Sequence, residues 1–348
     1  METLHRIRRI KLWFFLFSLA FAIFLIFWVK NLLVSVFLAF VGFFLLKPFV
    51  DFLVRQGLSR LVSTLFPFLF FSLVCFGLSL VVFPTLGNQV DELKGELPKY
   101  VEGTQRMLQS WESGFFSFLP AESKQKFGLE LSQKVQQFAQ SIFTDLPENL
   151  LNSLTVLFLA PFLCFFMLLD GKEFYRRMIS TVPNAYFELS MFLQHQIMEQ
   201  MGGFIRARLV ESVLVGFVIW IGLAVIQFPY ALVLAVFAAL MNLIPYLGPL
   251  IGVIPGILIA LVNQETNAVT SYIVFIYLLA QLIDALVIVP MVVARIVNLH
   301  PVTVVLVVMV GSQTMGILGM IISIPVASAV KIIYASIYQH ITDGKPLS

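Results

Sequence analysis

The chain has 348 residues, of which 59% are hydrophobic and 12% charged, with a formal net charge of +3 and a mean hydropathy of +0.95. An ordinary soluble domain carries about 25% charged residues, so water is excluded as the main solvent, and the absence of a basic patch interleaved with aromatics argues against nucleic acid as a partner. The two cysteines, Cys75 and Cys164, lie in apolar segments without a Cys or His at ligand spacing, which speaks against a disulfide framework or a metal site.

Apolar runs of about 18 residues or more mark helical spans. The first covers Leu12 to Val29; it follows a basic N-terminus like a signal peptide, but no small-residue cleavage site comes after it, so it is read as a retained span. A second, Leu32 to Leu46, follows at once, which places Lys30 and Asn31 at a tight turn. The third runs from Leu61 to Leu86 and the fourth from Leu150 to Leu169. A fifth covers Leu209 to Gln227, and the turn Phe228-Pro229-Tyr230 leads into the block Ala231 to Val262, too long and broken for one simple helix. Val269 to Val293 is the seventh, and Pro301 to Ile333 the eighth, again long and interrupted.

Lys and Arg flanking spans favour the cytoplasm. Arg6, Arg8, Arg9 and Lys11 precede the first span, and Lys47, Arg55 and Arg60 lie between the second and third, so both regions are expected inside. Residues 87–149 are then outside, with nine acidic against six basic residues. The next loop returns to the cytoplasm with Lys172, Arg176, Arg177, Arg206 and Arg208. Block 231–262 either crosses once, which puts Arg295 outside, or dips in and returns, which puts the Glu265 loop outside and Arg295 inside.

Two stretches outside the spans are amphipathic. Leu93, Leu97, Tyr100, Thr104, Met107 and Trp111 recur at spacings of four and three, and Phe127, Leu131, Val135, Phe138 and Ile142 nearly so, which predicts an external helical hairpin turning at Gly114 to Ala121. It packs against copies of itself, or rests on its own chain or the membrane. Residues 184–208 read as an interfacial or core-facing cytoplasmic helix. The expected organisation is therefore transmembrane segments over 1–86, an extracytoplasmic hairpin over 87–149, a span over 150–169, a cytoplasmic amphipathic region over 170–208 and a transmembrane core over 209–348. This is a polytopic, all-α membrane protein with about eight hydrophobic segments, two of them broken or re-entrant.

The breaks carry the chemistry. Asn242, Pro245, Tyr246, Gly248 and Pro249, with Gly252, Pro255 and Gly256 behind them, interrupt the first block. Gly311, Ser312, Gln313, Thr314, Gly316, Gly319 and Pro325 interrupt the second. Irregular backbone at membrane depth belongs where protein or a water-filled cavity satisfies it, and transporters place substrate and ions at such discontinuities. The plainer alternatives are a proline-kinked packing helix and close glycine contacts between helices. Gln281 and Asp284 lie in the seventh span, and a carboxylate there is a candidate proton or cation site. An ion pair with Arg295 is out of reach along a straight helix, eleven residues being about three turns. The four histidines are scattered, and no HExxH, GxSxG or Walker-type loop is present, so catalysis, cofactor binding and ATP drive are not expected.

The stretch NLIPYLGPLIGVIP over 242–255 resembles the signature of the autoinducer-2 exporter (AI-2E) family of bacterial membrane proteins. The run from Gln281 through Asp284, Pro290 and Leu299-His300-Pro301 resembles its next motif, and Gly311, Gly316 to Met320, Pro325 and Lys331 its last. Leu168-Leu169-Asp170-Gly171 resembles the exit of its fourth span. Met291, Ala294, Asn298 and Arg206-Ala207-Arg208 depart from its pattern. The resemblance implies a PerM-like secondary transporter of the bacterial inner membrane, N-terminus cytoplasmic, exporting a small polar solute such as autoinducer-2. It also implies a homo-oligomer, and sodium or lithium extrusion by proton antiport as an alternative activity. A non-transporting scaffold built on the external hairpin is the remaining alternative.

Overall fold

The computed structural model describes residues 30–112, 133, 137, 154–180, 187–244, 248–263, 267–293 and 299–343. Among them every regular element is helical: α1 (Lys30–Arg55), α2 (Arg60–Glu112), α3 (Leu154–Ile179), α4 (Phe187–Val225), α5 (Ala231–Asn242), α6 (Gly248–Val262), α7 (Asn267–Ile283) with a π-helical continuation (Asp284–Val293), and α8 (Pro301–Asp343). A helix pairs its backbone within one segment, which is what hydrocarbon demands. Among the described residues, five stretches are long and apolar enough to cross a membrane: Leu32–Arg55, Arg60–Glu96, Phe187–Val225, Ala268–Met291 and Val302–Ser336. The expected first span, Leu12 to Val29, and nearly all of the expected second arm of the external hairpin lie outside the described residues.

The chain divides into two compact units. One holds Met1–Val74, Leu151–Arg206 and Ile296–Ser348; the other holds Cys75–Leu150 and Ala207–Arg295.

In the first unit α1 packs along α3, and Phe43, Phe44, Leu46, Cys164 and Leu168 form the core between them. Gly42 permits the approach, because a β-carbon there would lie 3.0 Å from Cys164 Sγ. Pro48 has no N–H to donate to the carbonyl four residues back, at Phe44. The Arg206 guanidinium supplies the missing donor at 3.0 Å. Arg60 likewise donates to the Leu168 carbonyl, at 3.1 Å.

Helix α8 folds back on itself at Gly316, whose φ of 62° and ψ of −139° favour glycine. The backbones of Gly311 and Gly319 then touch, so that a β-carbon on either would run into the carbonyl of the other. A groove of about 840 Å³ lies between the two arms, lined from Thr303 to Met315 on one and from Gly319 to Tyr334 on the other.

In the second unit α5 and α6 have 12 and 15 residues, about 18 and 22 Å long, each short of the roughly 30 Å hydrocarbon core. They pair as an antiparallel hairpin. Gly252 faces Ala238, Gly248 sits on the Met241 carbonyl, and the Gly248 N–H donates to the Ile244 carbonyl at 3.0 Å. The outer ends of the hairpin meet, Tyr230 and Asn263 lining one pocket with Tyr100 of α2. Within the second unit the block therefore turns back on itself, bringing Tyr230 and Asn263 to one pocket.

Two expected boundaries dissolve into continuous helix. α2 runs on through Gly87 to Glu112, 53 residues in all, so the first amphipathic arm prolongs the third span instead of starting afresh. Leu93 and Tyr100 on that prolongation are buried in the second unit's core. Likewise, the described part of the amphipathic stretch, 187–208, and the fifth span are one helix, α4. Arg206 and Arg208 thus lie within a helix, and both side chains are engaged in protein, Arg206 on Phe44 and Arg208 on Glu211.

Candidate functional site

In the second unit, α4 and α7 run antiparallel along a seam opened by glycine. Gly222 lies against Ile276 and, on the neighbouring flank, Gly216 lies against Ala235 and Ala239 of α5. Small residues let membrane helices approach this closely. Three turns along α4 from Gly222 comes Glu211, and two turns along α7 from Ile276 comes Asp284, so the close seam sets these two carboxyls at one level.

They meet there. The Asp284 carboxyl lies within hydrogen-bonding reach of Glu211, and the Arg208 charge acts on it as well. Arg208 Nη1 donates to Glu211 Oε1, one turn away on the same helix. Glu211 is 1% exposed, Asp284 4% and Arg208 8%. Two acids and one base leave the set one negative charge in excess when all three are ionised.

Hydrogen bonding within this set is incomplete. Among the described residues, Arg208 Nε, Glu211 Oε2, Ser212 Oγ and Asp284 Oδ1 are buried without a partner. Such atoms are rare in folded proteins and call for a proton, water or ion. Asp284 is also the first residue of the π-helical stretch, a widening of the helix that frequently marks functional positions.

Of the residues singled out in the sequence, Asn242 is 2% exposed at the C-terminal end of α5, with its Nδ2 unpartnered among the described residues. Gly248 is buried at the start of α6, where its lack of a side chain lets the two arms close. Pro245 and Tyr246 lie outside the described residues, as does the side chain of Pro249. Gln281 is half-buried, one turn before Asp284. One turn further back, the Tyr277 hydroxyl is buried and unpartnered, beside Gly256. Gln313, Gly316 and Gly319 belong to the first unit: Gln313 and Gly316 are exposed at the tip of the α8 hairpin, and Gly319 is buried against Gly311.

Sequence reading singled out Asp284 but not its partners. Glu211 carried the same signal, an acid inside an apolar run, and its spacing of three from Arg208 was the clue to the pair.

The pattern of the AI-2E family transporter matches residues 14–339. YueF of Bacillus subtilis, named for transport, is 27% identical over 93% of this chain and 89% of its own length. TqsA of Escherichia coli, named an AI-2 transport protein, is 25% identical over 83% of this chain and 81% of its own. PerM of Escherichia coli, named as a permease, is 24% identical over 88% of each. With a helical membrane architecture and a family match along nearly its whole length, this chain is a member of the AI-2E transporter family.

Proposed function

We propose that the protein is a secondary transporter of the bacterial inner membrane, N-terminus cytoplasmic, that exports a small polar solute in exchange for protons. The observation that carries this reading is the buried set Arg208, Glu211 and Asp284, two carboxyls facing one guanidinium with unpartnered atoms on each. Taking up one proton between Glu211 and Asp284 neutralises the set, and releasing it restores a net charge. Burying that charge is costly in low dielectric, so loading and unloading favour different packings of α4 against α7. That difference is what couples a gradient to a conformational change. The α5–α6 hairpin, which packs on α4 through Ala235 and Ala239, is the element placed to respond, and a broken re-entrant segment is where a hydrophilic cargo finds backbone groups to bind. Because TqsA is named for AI-2, an AI-2-like solute is the first cargo to test.

In proteoliposomes, an imposed proton gradient is expected to drive solute movement, and Asp284→Asn or Glu211→Gln to abolish that dependence. Equal gradient-driven flux in both variants and the parent rejects the role of the pair.

The same unpartnered carboxyl oxygens also suit a desolvated monovalent cation, so sodium or lithium exchange for protons is the second reading. It is distinguished by cation-dependent collapse of an imposed pH gradient in vesicles without organic solute.

A further inference from the structure

Where the two ends of the α5–α6 hairpin meet α2 there is a polar pocket of about 340 Å³, at the lower end of the range of roughly 300–1,000 Å³ usual for small-molecule sites. It shares no residue with the Arg208–Glu211–Asp284 set. Glu96, Lys99 and Tyr100 come to it from α2, Tyr230 from the turn before α5, and Asn263 from just beyond α6.

The chemistry of the wall is mixed and balanced. Tyr100 donates its hydroxyl proton to Glu96 Oε2 at 2.8 Å, Lys99 Nζ lies 3.6 Å from the same oxygen, and Tyr230 lines the same wall. Burial raises both tyrosine hydroxyls above their ordinary value, and for Tyr100 the hydrogen bond to Glu96 adds to it, so they stay protonated donors at neutral pH. The one carboxylate and the one ammonium cancel. Asn263 lines the pocket beside Tyr100, and its Oδ1 has no partner among the described residues. Pro229 and Val262 add an apolar flank.

The placement has a structural cost that the turn alone does not demand. Tyr230 sits at φ 58° and ψ 26°, a left-handed conformation in which a non-glycine residue loses about 1–2 kcal/mol. A glycine would serve the turn better, but would bring no hydroxyl to the pocket. An anion would leave Glu96 opposed and a cation would compete with Lys99, whereas a neutral ligand with adjacent hydroxyls matches donors and acceptors together.

The geometry points to this pocket as a binding site for a small uncharged polyhydroxy solute at the mouth of the hairpin. It rests on the transporter reading for its purpose, since it names the class of cargo, but binding is read without flux.

The test is calorimetric titration of the full-length protein in lipid nanodiscs with ribitol, and with tetramethylammonium and inorganic phosphate as charged controls. Ribitol is expected to bind and the two ions not to bind comparably. Tyr230→Phe and Glu96→Gln are each expected to weaken ribitol by about tenfold, the scale of one lost hydrogen bond, with melting temperatures near that of the parent. If one variant fails to fold, the other carries the comparison, and Asn263→Ser gives a third. No ribitol binding, tighter binding of either ion, or ribitol affinity unchanged in the folded variants overturns the proposal. Proton-driven flux without ribitol binding removes this inference alone, while ribitol binding without any flux leaves the pocket standing and removes the transporter reading.

Discussion

Gly222 of α4 lies so close to Ile276 of α7 that a β-carbon at position 222 would come within 2.5 Å of Ile276 Cγ2. This contact fixes the register in which Glu211 and Asp284 share a level. Gly222→Ala is expected to cost about 1–3 kcal/mol through overpacking and to reduce proton-driven flux more than stability alone explains. Melting in detergent beside flux in proteoliposomes checks it; full flux at reduced stability would detach the seam from the coupling.

The charged set predicts a non-additive mutant series. Arg208→Met leaves two acids buried without their base and is expected to destabilise by about 3–5 kcal/mol, whereas Arg208→Met with Glu211→Met removes the pair together and is expected to restore most of that loss. Gradient-driven flux should stay absent in the double variant. Equal destabilisation by the single and double variants contradicts a buried pair.

At the α8 turn, Gly316→Ala places a side chain at φ 62° and is expected to cost about 1–3 kcal/mol. Gly319→Ala is expected to cost at least as much, because its β-carbon meets the Gly311 carbonyl. Thermal melting of both variants gives the comparison, and wild-type stability in Gly319→Ala would mean that the two arms do not touch.

A re-entrant α5–α6 hairpin is the expected outcome of a labelling experiment. In a background with Cys75 and Cys164 replaced, Pro229→Cys and Asn263→Cys are expected to react with an impermeant thiol reagent from the same face of the membrane. Labelling from opposite faces requires a single crossing between them.

Gln89 of α2 accepts the Val233 N–H through Oε1 at 3.2 Å, serving one of the free donors in the first turn of α5. Gln89→Ala is expected to cost about 0.5–1.5 kcal/mol, with faster hydrogen exchange confined to the start of α5. Unchanged exchange at Val233 would show the contact to be idle.

What the sequence determined by itself was whatever a single segment decides. A helix in lipid satisfies its own backbone, so runs such as Leu32 to Leu46 and Val269 to Val293 announced spans without reference to neighbours. Proline and glycine act on their own backbone, so interruptions at 242–249 and 311–319 were legible, as was the anomaly of Asp284 in an apolar run. What only the tertiary structure decided was which distant groups face one another. The pairing of Arg208 with Glu211 emerged only once α4 was seen as one continuous helix. Asp284 found that pair because Gly222 lets α7 close on α4. The direction of the α5–α6 block followed from glycine contacts between its arms, and the polar pocket from the extension of α2 alongside them. Composition sets the solvent and the helices, but pairing across helices depends on close approaches at glycine that no single segment encodes.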